Sequence, residues 1–103
     1  MEIALDLGRH LGYCIRFDNG TYKTGCKDLA MPSGKGDKYA YYINLNKFLL
    51  KCHHTELITK IYIELVTFST NTYATQAHGA YKAEVGTFAR TRMIPVKEIP
   101  VST

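Results

Sequence analysis

Two acidic side chains stand almost alone in apolar surroundings, at matching places in two short β-like stretches. Glu2-Ile3-Ala4-Leu5-Asp6-Leu7-Gly8 alternates Ile3 and Leu5 with Ala4 and Asp6, so it reads as a strand with one carboxylate near its C-terminal end. Lys60-Ile61-Tyr62-Ile63-Glu64-Leu65-Val66 is a second β-branched stretch, and it places Glu64 in the corresponding position. An ionised carboxylate among Leu and Ile side chains is costly to desolvate unless a cation, a metal or hydrogen bonds offset the loss of water. Neighbouring parallel strands lie about 4.8 Å apart, and two carboxylates that close repel unless a proton or a cation sits between them. Taken alone, Asp6 also reads as a turn residue bonding its own backbone. Taken as a pair, Asp6 and Glu64 are candidate ligands of a divalent metal and candidate catalytic residues.

Other residues suit a polyanionic partner. Arg9 and His10 fall in the turn beside Asp6, where they read either as phosphate contacts or as solvated turn residues. Lys35 and Lys38 belong to a polar, aperiodic loop from Asp28 to Lys38. Within it Ser33-Gly34-Lys35-Gly36 lacks the spacing of a nucleotide-binding loop and follows no buried parallel strand, so it reads as a connection. Cys52-His53-His54 resembles a ligand cluster on paper. Consecutive helical residues point about 100° apart, however, and basic side chains completing a helix C-terminus explain the pair of histidines more simply. His78 reads as structural or exposed, and Glu84 as a surface charge.

These residues need elements to position them. Leu11 to Phe17 resumes the alternation as a second strand, and Asp18-Asn19-Gly20-Thr21 is a hairpin signal leading to a third at about Tyr22 to Cys26. Asp37 is an N-cap candidate for a helix to about Cys52, with Tyr39, Tyr42, Ile43, Leu45, Leu49 and Leu50 as the face against the sheet. After the Glu64 strand, Asn71 or Thr72 caps a long second helix to about Arg92, striped by Ala74, Ala77, Tyr81, Val85 and Phe88 and ended by Pro95. Gly79 and Gly86 lie two turns apart in it, and each costs up to about 1 kcal/mol relative to Ala. Close approach of another backbone, the sheet or a second copy of the helix, would account for them. Pro95 to Pro100 gives a last strand, parallel to its predecessor if the crossover follows the usual hand.

Composition bounds the class. The 103 residues suit a single domain with a real core. No run nears the roughly 18 apolar residues of a membrane span, and no signal peptide pattern precedes the first strand. Cys14, Cys26 and Cys52 are odd in number and widely spaced, which suits a reducing cytoplasm. The formal charge of +4 is modest support for a nucleic-acid partner.

Asp6-x-Gly8 followed by Gly12-Tyr13 resembles the D-x-G…G-[YW] opening of the RuvC family of Holliday-junction resolvases, phage and bacterial type, within the RNase H-like superfamily. Actin-like ATPases and sugar kinases share a similar start. Ile63-Glu64-x-Val66, then Asn71, Ala74, Gly79 and the Ile94-Pro95-Val96 strand, resembles the family's second block, so the resemblance covers nearly the whole chain. It implies one RNase H-like α/β domain over residues 1–103, with a five-stranded mixed sheet in order 3-2-1-4-5 and helices packed on it. Asp6 and Glu64 then correspond to the family's first two catalytic carboxylates, holding Mg²⁺ or Mn²⁺. DNA contacts are expected from Arg9, His10, Lys35 and Lys38, and from Phe68, Asn71 and Lys82. The family carries an aromatic wedge three residues after the Glu; here Thr67 stands there and Phe68 follows. Family members continue to a helix with two further acidic ligands, whereas no Asp or Glu follows Glu98 here, so the chain looks truncated relative to them.

Three functional classes follow. One is a structure-specific endonuclease for branched DNA, or the core of one, acting as a homodimer through Gly79 and Gly86. A second is a catalytically incomplete domain that binds branched DNA or another protein. An actin-like nucleotide-binding domain is the third, but the sequence lacks its second D-x-G strand and adenosine motif.

Overall fold

The computed structural model describes residues 1–31, 35–65 and 72–100, without the side chains of residues 65 and 72–75. The elements run β1 (Glu2–Asp6), β2 (His10–Arg16), β3 (Tyr22–Asp28), α1 (Lys38–Thr55), β4 (Lys60–Leu65), α2 (Thr72–Thr91) and β5 (Val96–Pro100). They build one sheet in the order β3-β2-β1-β4-β5, as expected. β1, β2 and β3 pair antiparallel, while β4 runs parallel to both β1 and β5. Gly20, at φ 87°, and Asn19, whose Oδ1 accepts the Thr21 N–H at 3.0 Å, form the β2–β3 turn that Asn-Gly signalled. Pairing of His10 with Asp28 starts β2 earlier and ends β3 later than the alternation alone suggested.

One face of the sheet carries the core. Ile3, Leu5, Leu11, Ile15, Ile61 and Ile63 are buried beneath Leu45, Leu49 and Cys52 of α1 and Tyr81, Val85, Phe88 and Ala89 of α2. Asp37 caps α1 by accepting the Tyr39 and Ala40 N–H groups, and the helix runs to Thr55, one turn past the expected end. Its inward stripe is displaced from the one expected: Tyr39 is 78% and Ile43 55% exposed. The period that buries Leu45, Leu49 and Cys52 puts those two residues on the flank. Tyr42 stays in the interface, edge-on to Tyr81 at 5.2 Å. α2 closes with Met93 at φ 57° and the Ile94 N–H bonded back to Ala89 O at 2.9 Å, a helix stop that uses no glycine.

Two other expectations change. Gly79 and Gly86 do not admit the sheet, because a Cβ added at either would meet nothing within 4 Å. His53 does not act as a cationic cap either. Its Nδ1 accepts the Ile58 N–H at 3.0 Å and its ring stands edge-on to Phe88 at 6.0 Å. Burial, then Arg92, His54 and the amino terminus, pull its pKa below the ordinary imidazole value, which favours the neutral ring. The three thiols are free and sit at different depths: Cys26 exposed, Cys14 half-buried and Cys52 buried, with burial raising the Cys52 pKa. No helix among the described residues is long and apolar enough to cross a membrane.

Candidate metal and nucleic-acid site

Strand alternation sends every second side chain to the face opposite the helices. There the sheet presents Ala4 and Asp6 from β1, Gly12 and Cys14 from β2, and Tyr62 and Glu64 from β4. These residues line an open groove of about 530 Å³, closed on one side by Ile99 and Pro100. Its floor is the backbone row Gly25-Tyr13-Leu5-Ile63, which the strand registers bring side by side.

The parallel pairing of β1 with β4 fixes the two carboxylates. Leu5 pairs with Ile63, and Asp6 and Glu64 are the next residue along each strand. They therefore project from adjacent strand ends, about 4.8 Å apart in backbone spacing, on one face and into one groove. Asp6 is exposed and Glu64 half-buried. Among the described residues neither takes part in an ion pair or side-chain hydrogen bond. Both are thus available to a ligand.

Gly12 explains how Asp6 is accommodated. It is the cross-strand partner of Asp6, and a Cβ on it would stand 3.3 Å from Asp6 Cβ and 3.8 Å from its Oδ2. The second glycine of the opening motif leaves the carboxylate room to lie over β2.

Further along the same face, beyond the groove, the polar groups are satisfied. Glu2 accepts from Arg16 and from the Tyr62 hydroxyl, the latter at 2.7 Å, and the Lys60 ammonium lies 5.0 Å from the Tyr62 ring. The Tyr62 hydroxyl, with Arg16 and Lys60, holds the Glu2 carboxyl below its ordinary pKa. This Glu2-Arg16-Tyr62 group escaped sequence reasoning. Its signal was present in the alternation, since Glu2, Ala4 and Asp6 share a face, but its partners come from two other strands.

The remaining expected residues are divided by the sheet. His10 follows the parity of Gly12 and shares the groove's side. Arg9 instead bonds Asp28 Oδ1 at 3.3 Å and lies 5.8 Å from the Tyr41 ring of α1, on the helix side. The Ala30 N–H chiefly, then Arg9 and His10, keep Asp28 ionised below the ordinary carboxylate range. Lys82 of α2 is paired with Glu98 of β5. Lys35 is exposed in the turn before α1, and Lys38 is the first residue of that helix. Phe68 and Asn71 lie outside the described residues. Among the described residues, His78 Nε2 is buried without a hydrogen-bond partner. No group of three or more His, Cys, Asp or Glu side chains placed to hold a metal occurs among the described residues.

The fold has solved counterparts. RuvC of Thermus thermophilus in complex with a Holliday-junction substrate superposes with a TM-score of 0.75 at 13% identity, over 97% of this chain and 65% of that one. A second Thermus thermophilus RuvC structure gives 0.63 at 15% identity, covering 95% and 63% of the two chains. The yeast mitochondrial Holliday-junction resolvase gives 0.61 at 12%, covering 97% and 52%. The chain has the RuvC-like form of the RNase H fold and spans about half to two thirds of the length of these proteins. The sequence matches no protein-family model and no curated protein.

Proposed function

We propose that this chain is the RuvC-like core of a metal-dependent, structure-specific endonuclease that hydrolyses phosphodiester bonds in branched DNA. One observation carries the reading: Asp6 and Glu64 project together from adjacent central strand ends into a groove on the sheet face opposite the helices. The donor set is oxygen only, which suits a hard cation, and Mg²⁺ is commonly held by one or two carboxylates plus substrate phosphates. Mg²⁺ or Mn²⁺ held by Asp6 and Glu64 would polarise a phosphoryl oxygen and lower the pKa of water. The protein's own part is to fix the two carboxylates on a rigid sheet, with Gly12 leaving Asp6 its space and His10 on the same side. Solved proteins of this fold include one with a Holliday junction bound, which favours a branched substrate. Arg9, Lys35, Lys38, Lys82, Phe68 and Asn71 are proposed as further DNA contacts, and two of the cations must first exchange partners: Arg9 leaves Asp28, and Lys82 leaves Glu98.

Incubation with a four-way junction and with linear duplex, in Mg²⁺ and then Mn²⁺, tests the reading. Weak junction binding with poor cutting is expected, and any cutting or Mn²⁺ binding is lost in Asp6→Asn and Glu64→Gln. A second reading, a binding module that does not cut, draws on the finding that the described residues assemble two carboxylates and no third acidic ligand. Junction binding without metal-dependent cutting would favour it. A homodimer across α2 is proposed with it, since the open space at Gly79 and Gly86 admits a second helix. Light scattering should show dimers for the wild type and monomers for Gly79→Leu/Gly86→Leu; a wild-type monomer at high micromolar concentration contradicts it.

A further inference from the structure

A second groove, of about 290 Å³, lies on the opposite side of the molecule from Asp6 and Glu64, between the free edge of the sheet at β3 and the C-terminal half of α1. Lys23 and Lys27 of β3 and Lys51 of α1 form its rim, Tyr13, Phe17 and Phe48 contribute its apolar wall, and no acidic side chain lines it. Among the described residues none of these lysines has an ion pair. The nearby carboxylates Asp18 and Glu56 are engaged by the amino terminus, at 3.2 and 3.3 Å. Cys52 lies between the two rims: burial raises its pKa, and both Lys23 and Lys51 oppose that rise.

The spacing chooses among anions. Lys23 and Lys27 are four residues apart on one face of a strand, a separation of about 14 Å at roughly 3.4 Å per residue. Standing parallel off the strand, the two ammonium groups are spaced for separate phosphates rather than for one. Each DNA strand carries one charge per about 3.4 Å of axis, so a linear array of phosphates matches the rim where a small anion does not. Tyr13 helps shape the groove by lying over Gly25, whose absent side chain lets the ring pack on Phe48 at 4.9 Å.

We infer that the cleft between β3 and α1 is a second DNA-backbone site, in which Lys23, Lys27 and Lys51 hold the phosphates of a duplex arm remote from the carboxylate groove. The inference rests on the nucleic-acid reading above but not on catalysis. Its test is salt-dependent binding of a short duplex by the full chain, read by fluorescence anisotropy, with ¹⁵N shift mapping to place the contact. Lys23→Gln/Lys27→Gln/Lys51→Gln should weaken binding about tenfold at low salt and flatten the log-log salt dependence by roughly 2 to 3, at about 0.9 for each phosphate no longer neutralised. The matching Lys→Arg variant should retain binding, and wild-type amides at Lys23, Lys27, Phe48 and Lys51 should shift. An unchanged salt slope in the Gln variant, or shifts confined to the Asp6 and Glu64 strand ends, overturns the cleft while leaving the carboxylate site standing. Absence of duplex binding by the wild type at low salt overturns it as well. Failure to cut a junction, with the cleft signature present, sinks only the nuclease reading.

Discussion

The two faces of the sheet are made from the same strands and put to opposite uses. On the helix side Ile3, Leu11 and Ile61 are fully buried; on the other side, one residue along, Ala4 and Asp6 are exposed and Tyr62 and Glu64 half-buried. Period-two alternation therefore separates the residues that hold the fold from those that can meet a ligand. Substitutions on the first face should cost stability, and those on the second should cost binding or chemistry with little effect on stability.

Phe88→Ala is the largest expected effect. Phe88 is 1% exposed at the centre of the helix-side core, so truncation should cost about 3–5 kcal/mol, read as a lowered denaturation midpoint. A loss under 1 kcal/mol would mean that this face is not the stabilising one. Two glycines sharpen the contrast. Gly25 faces the helix side, where an added Cβ would stand 2.6 Å from Tyr13 Cζ. Gly25→Ala should cost about 1–3 kcal/mol through forced repacking, and less in a Tyr13→Leu background. Gly12 faces the groove, and Gly12→Ala should stay within about 0.5 kcal/mol of wild type. It should nonetheless diminish the thermal shift produced by Mn²⁺, because Asp6 is displaced. Equal destabilisation by the two substitutions would erase the distinction between the faces.

Most of the fold was legible because its signals are local. Alternation marked the strands, Asn19-Gly20 marked the hairpin, Asp37 marked the helix start, and Asp6 with Glu64 stood out as lone carboxylates. What was not legible depends on partners far away in sequence. The purpose of Gly12 appears only when Asp6 lies opposite it. Tyr39 and Ile43 fit an apolar stripe by spacing, but the sheet meets α1 along a line one position away. His53 accepts an N–H from a residue after the helix, which no helical periodicity reveals. The lysine cleft joins β3 to Phe48 and Lys51, more than twenty residues later, and each lysine alone is an ordinary surface charge.

The three thiols, graded in depth from Cys26 through Cys14 to Cys52, equip the chain with its own chemical reporters. Alkylation should proceed at Cys26 first, at Cys14 more slowly, and at Cys52 only as the core opens, since burial both hides that sulfur and disfavours its thiolate. Cys14 lines the carboxylate groove, and Cys26, opposite Gly12, stands on the same face of the sheet. Mass-spectrometric counting of modified cysteines would therefore read the occupancy of the carboxylate face and the integrity of the interior from one sample.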